Sequence, residues 1–153
     1  MKTDTVIYID ADACPVKDEA IRVAARHGIK TYLVCDGGIR PIKDPLVELV
    51  IVDQGADAAD DWIADHIQKA DICITNDIPL ASRCLKRGAL SIKPNGVKFT
   101  ENGIGMALAN RELLQCLRET GVMTGGPRPF SKSDISEFLN CLETTVQAAK
   151  QLK

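Results

Sequence analysis

Short apolar runs, each about the length of one strand, alternate along this chain with stretches that carry helical spacing. That alternation limits the fold more than any other feature of the sequence. Residues 5–9 (TVIYI) are β-rich and apolar on both faces, which predicts a buried strand. Pro15 suits the first turn of a helix, and Val16, Ala20, Val23 and Ala24 keep helical spacing up to Gly28, a natural stop. Residues 31–35 form a second strand, closed by Asp36-Gly37-Gly38, and residues 39–45, with two prolines, read as a loop. Residues 46–52 form a third strand. Asp57 then caps a helix running to about Ala70, with Ile63 and Ile67 inward. Residues 72–75 are a fourth strand. Asn76-Asp77 leads into a helix through Arg87, with Leu80, Ala81, Cys84 and Leu85 facing the core. Residues 90–92 are a short fifth strand. Beyond it the pattern is helical only, over residues 100–119 and 131–152. The last helix lines up Ile135, Phe138, Leu139, Leu142 and Val146 on one face. The Gly- and Pro-rich residues 121–130 (GVMTGGPRPF) are too few for a domain boundary and read as an ordered loop or linker.

This order predicts a three-layer α/β/α architecture, with a mainly parallel five-stranded sheet and two C-terminal helices, as a single domain over residues 1–153. The 45% apolar and 26% charged composition excludes a disordered or fibrous chain. No run of about 20 apolar residues exists to span a membrane. The net charge of −2 gives no global positive field. A polyanionic partner must therefore be met by a local basic patch or through metal ions. The six cysteines show no CxxC pair or zinc spacing. Several lie inside apolar runs, so buried, reduced thiols and a cytoplasmic setting are expected.

Acids fall where the strands end. Asp10 and Asp12 follow the first strand, Asp36 the second, Asp53 the third and Asp77 the fourth. Asp57, Asp60 and Asp61 open the helix before the fourth. All map to the sheet edge where such folds bind ligands. If the first and fourth strands are neighbours, their ends lie about 4.8 Å apart, and Asp10 and Asp77 can share a cation. Crowded carboxylates repel unless neutralised, and all-oxygen ligation suits Mg²⁺ or Mn²⁺. Each acid alone also has a structural use as a helix cap or turn residue. The pair Asp10 and Asp77 resists that explanation better, because a carboxylate closing an apolar strand is costly unless it is used.

Four segments together carry a resemblance: residues 8–20 (YIDADACPVKDEA), 55–64 (GADAADDWIA), 75–81 (TNDIPLA) and 124–134 (TGGPRPFSKSD). They look like the YaiI/YqxD family of bacterial proteins, over nearly the whole chain. That family is in turn similar to the PIN-like (NYN/PIN) nucleases. The resemblance implies a PIN-like domain whose acids bind Mg²⁺ or Mn²⁺ and cleave RNA or DNA. By position, Asp10 resembles the first acid, Asp60 or Asp61 the helix acid, and Asp77 the third. PIN domains often carry a fourth acid after the fifth strand, whereas residues 93–98 (KPNGVK) hold none. Asp12 can take that place, or the domain binds nucleic acid without cleaving it.

The expected function is a metal-dependent phosphodiesterase on nucleic acid, most plainly RNA. Asp10, Asp77 and Asp61 would be catalytic, and Asp10, Asp12, Asp60, Asp61 and Asp77 the metal-ligand set. The run IYIDADA (residues 7–13) also resembles the DxD loop of haloacid-dehalogenase-type phosphatases, with Asp10 as nucleophile and Asp12 as acid/base. Asn76-Asp77-Ile78-Pro79 matches their later acidic pair poorly. Arg40 and Lys98 follow strands and can hold backbone phosphates beside the acids, and Arg128 in its Gly-Pro-Arg turn can shape an anion contact. Aromatic residues make up only 4%, so base stacking is not expected to drive binding. Trp62 reads as packing. His27 and His66 read as surface or helix-packing residues.

Overall fold

The computed structural model describes residues 5–11, 14–37, 42–53, 58–106, 109 and 130–152. The strands are β1 (Val6–Asp10), β2 (Lys30–Cys35), β3 (Val47–Ile51), β4 (Ile72–Ile74) and β5 (Leu90–Ile92). Between and after them lie α1 (Lys17–Arg26), α2 (Ala58–His66), α3 (Ile78–Lys86), helical residues 101–106 (α4) and α5 (Lys132–Leu152). The strands form one sheet in the order β3-β2-β1-β4-β5, and every neighbouring pair is parallel. The chain thus steps outward from β1 to β3, returns through α2, and continues on the other side from β4. The order reverses between β1 and β4, which pair Ile7 with Ile72 and Ile9 with Ile74.

Period-two alternation divides the core between the two faces of the sheet. Ile7, Ile9, Leu33, Ile72, Ile74 and Ile92 pack against α1 and α5, with Phe138, Leu142 and Val146 contributed by α5. Tyr8, Val34 and Cys73 face the other way, onto Ile63, Ile67, Leu80 and Cys84. The central strands β1 and β4 are therefore apolar on both sides, as parallel strands under two helical layers must be. Edge strand β3 is less covered, and Ile51 is 64% exposed. No described helix is long and apolar enough to cross a membrane.

The helix ends show where local chemistry and tertiary demand agree. Gly28, at φ +67°, closes α1. The Ile29 amide donates to Ala24 and the Gly28 amide to Ala25, a paired C-terminal closure that the left-handed residue permits. Pro15, expected in the first turn, instead precedes the helix, whose N-cap is Val16 with no side-chain cap. α2 stops at His66, short of Ala70, because Asp71 intervenes. The Asp71 carboxylate, 3% exposed, accepts from the Gln68 amide at 2.9 Å and the Val6 amide at 3.1 Å, so the chain turns before β4. α5 opens with a capping box, in which Ser131 and Asp134 each accept from the other's amide.

The segment after β5 is not helical throughout. Lys93 donates its amide to Val97, Ile92 bridges Lys98 in antiparallel fashion, and the Phe99 amide donates to Ser91. Residues 93–98 fold back along β5 before α4. The first of the two expected C-terminal helices, over residues 100–119, is described only at residues 101–106 and 109, and the loop at 121–130 lies outside the described residues but for Phe130.

Candidate functional site

Asp10 closes β1 and Thr75 follows β4, so the parallel register of these strands carries both to the point where strand order reverses. In open α/β sheets the crevice at that point is the usual ligand position. Thr75 is 1% exposed. Its hydroxyl donates to Asp10 Oδ2 at 2.9 Å and accepts the Asp77 amide, also at 2.9 Å. Asp77 is the N-cap of α3, with Oδ1 accepting the Leu80 amide at 3.0 Å. The two acids singled out from the sequence are therefore joined through one buried hydroxyl. Asp77 also caps its helix, so the structural and functional readings of this residue coexist.

The helix acids Asp60 and Asp61 differ in exposure. Asp61 is exposed and its Oδ1 accepts from Arg83 of α3 at 2.8 Å. Asp60, half-buried, acts together with Asp10 on the Cys73 thiol, where both negative charges help to hold the proton on sulfur. The larger causes there are a hydrogen bond with Cys84 and complete burial. Asp36 and Asp53 are exposed beyond β2 and β3, one and two strands from β1. Among the described residues, no group of three or more His, Cys, Asp or Glu could hold a metal ion. Asp12 and Asp57 lie outside the described residues, as do Arg40 and Arg128. Lys98 is exposed on the return after β5, and its charge reaches the Cys141 thiol of α5.

Cys14, Cys35, Cys73, Cys84 and Cys141 are free and buried, and Cys116 lies outside the described residues. Burial pushes the Cys14 thiol up to about 11 from an ordinary 9.0, with the Asp10 charge adding to the rise. This leaves carboxylate oxygens, not thiolates, as the donors at neutral pH. It also makes an alkaline prediction. Below pH 9 the thiol is neutral in both states and stability is unaffected. Between pH 9 and 11 the unfolded chain ionises and the folded one does not, so about 2–3 kcal/mol of stability is lost over that window. Urea unfolding at several pH values is expected to show this slope in the wild type, and a smaller one in Cys14→Ala.

Trp62, His66 and His27 make ring and polar contacts with neighbouring elements. Trp62 stacks on His66 at 3.9 Å and tilts against Tyr32 and Tyr8. His66 Nδ1 contacts the Trp62 carbonyl at 2.7 Å. His27 links α1 to α5, lying 2.7 Å from Glu143 and 2.9 Å from Lys150. Sequence reasoning passed over the hydroxyl of Thr75 and the buried carboxylates of Asp71 and Asp134. A threonine closing an apolar strand two residues before an Asx cap was the available signal for the first.

A family model for the uncharacterised YaiI/YqxD proteins matches residues 8–148. The UPF0178 protein amb2838 of Paramagnetospirillum magneticum is 55% identical over 148 residues, 97% of this chain and 98% of that one. A UPF0178 protein of Parvibaculum lavamentivorans is 54% identical over 147 residues, 96% and 97% of the two chains. One from Rhodopseudomonas palustris strain TIE-1 is 57% identical over 143 residues, 94% and 90%. No solved structure matches the chain.

Proposed function

The chain belongs to the YaiI/YqxD family, and we propose that it is a PIN-like, metal-dependent phosphodiesterase acting on RNA. One observation supports this reading: at the reversal point of the sheet the buried Thr75 hydroxyl donates to the Asp10 carboxylate and accepts the backbone amide of Asp77. The donor set fits a small hard ion. Asp10 accepts from Thr75 through Oδ2 and Asp77 from Leu80 through Oδ1, and an all-carboxylate donor set suits Mg²⁺ or Mn²⁺. Asp12, Asp60 and Asp61 are the candidates to complete the set. When bound, such an ion supplies Lewis acidity and a water of lowered pKa. The protein's own part is to fix the two carboxylates. Lys98, with Arg40 and Arg128, would hold backbone phosphates. The buried free thiols fit a reducing, cytoplasmic setting.

Asp77→Asn separates the two roles of this residue, because asparagine caps a helix as well as aspartate does. The variant is expected to stay within about 1 kcal/mol of wild-type stability. Mn²⁺-dependent cleavage of a labelled RNA panel is expected to fall at least ~100-fold, as for loss of one transition-state contact. Equal cleavage by both proteins overturns the assignment. The lack of a three-acid group among the described residues favours a second reading, a nucleic-acid-binding module without hydrolysis. RNA binding without Mn²⁺ uptake at millimolar metal would establish it instead.

A further inference from the structure

We infer that the groove between α1 and α5 is a binding site for a small amphiphile with one negative charge, in its simplest form an aliphatic carboxylate. Two helical stripes line it. α1 contributes Glu19, Arg22, Val23 and Arg26, which share one face, and α5 contributes Ile135, Leu139 and Glu143, spaced four apart. They enclose a cavity of about 710 Å³, inside the range of roughly 300–1,000 Å³ usual for small-molecule sites. None of the strand-end acids lines it, so the site stands apart from the metal reading above.

The floor of the groove is apolar. Val23 is buried in the core, and Ile135 and Leu139 lie partly buried against the same cluster. Charge sits at the rim, and most of it is already matched. Arg26 Nη2 lies 2.7 Å from Glu143 Oε1, while Glu143 Oε2 meets His27 and accepts from the Gln147 side chain. Arg22 is different. Its guanidinium comes no closer to Glu19 than 3.7 Å, outside the usual hydrogen-bond length. Among the described residues no second carboxylate pairs with it. The planar fork of Arg22 is therefore open to a ligand carboxylate, which it can hold through two parallel bonds. The matched charges fix the charge of the ligand. A dianion such as phosphate needs a second uncommitted cation and is repelled by Glu19 and Glu143. A cationic head meets Arg22, and a neutral head leaves the fork unused. One carboxylate on an aliphatic body satisfies both the rim and the floor.

The test titrates octanoate, octan-1-ol and octylammonium into the full chain and follows the backbone amides by NMR. Octanoate is expected to saturate a single site, with its shifts centred on residues 19–26 and 135–143. It should bind at least about tenfold more tightly than octylammonium, the order of one charge-assisted contact. Arg22→Gln should weaken octanoate about tenfold for the same reason and leave octan-1-ol unchanged. Arg22→Lys keeps the charge without the fork and should fall between the two. The Arg22 side chain is 76% exposed, so both variants are expected to melt as wild type does. Equal binding of octanoate and octylammonium, shifts scattered over the whole surface, octanoate binding in Arg22→Gln at the wild-type level, or equal weakening of octan-1-ol in that variant overturns the assignment.

Discussion

Gly96→Ala is expected to lower the melting temperature by about 10 °C, through a loss near 3 kcal/mol. Gly96 sits at φ +88° in the return after β5, where its amide donates to Lys93. Two costs combine when a methyl group is added. A left-handed backbone costs an L-residue about 1–2 kcal/mol. The new Cβ would also lie 2.5 Å from the Glu137 carbonyl carbon, 2.6 Å from its oxygen and 2.8 Å from the Phe138 nitrogen. These are helix backbone atoms, which cannot swing aside as a side chain would, so either the turn or α5 must shift. Overpacking of that kind adds about 1–3 kcal/mol. Gly28 supplies the control. It has φ +67° and nothing within 4 Å of an added Cβ, so Gly28→Ala should lose only the backbone part, about 1 kcal/mol. Thermal unfolding of the two variants side by side measures the difference. Equal losses would mean that the return does not press on α5.

Much of this architecture follows from signals that are local in sequence. Gly28 ends α1 because only a residue without Cβ enters the left-handed region freely, and that requirement reads directly from the chain. The Asp77 cap reads equally well, since its carboxylate reaches an amide three residues on. What was not legible depends on partners far away in sequence. α2 ends early because Asp71 takes the Gln68 amide while also holding Val6, 65 residues away. No periodicity within α2 carries that information. The hydrogen bond from Thr75 to Asp10 is of the same kind, again spanning 65 residues. The acids were legible as a set lying at strand ends, and β1 pairs with β4 as the reading of Asp10 and Asp77 supposed. That Arg83 of α3 pairs with Asp61 was not legible, because the two lie 22 residues apart. The backward turn after β5 was hidden by Lys93-Pro94-Asn95-Gly96, whose turn chemistry gives no register until β5 is in place.

Phe138→Ala is expected to cost more than any other single truncation in the core, about 3–5 kcal/mol. Phe138 is fully buried and leads the fully buried side chains by volume. It belongs to the cluster in which α5 covers Ile7, Ile9, Ile72, Ile74 and Ile92. Truncation leaves a void bounded by a sheet on one side and by a helix on the other. That helix is held at its start by the Ser131–Asp134 box, at its middle by the links from Arg26 and His27 to Glu143, and toward its end by the contact of Lys150 with His27. A helix pinned at both ends collapses poorly onto a cavity, so the loss should fall in the upper part of that range. Phe138→Leu keeps most of the volume and is expected to lose no more than about 1.5 kcal/mol. The double variant Gly96→Ala/Phe138→Ala carries the stronger test. The alanine methyl at position 96 presses on the amide of residue 138 itself, so the two changes share one contact. If truncating Phe138 lets α5 move away from the return, part of the Gly96→Ala penalty is relieved. The double loss in urea unfolding should then be smaller than the sum of the single losses by at least about 0.5 kcal/mol. Strict additivity would show that α5 stays in place over an empty core, and that the sheet does not need Phe138 to hold its cover.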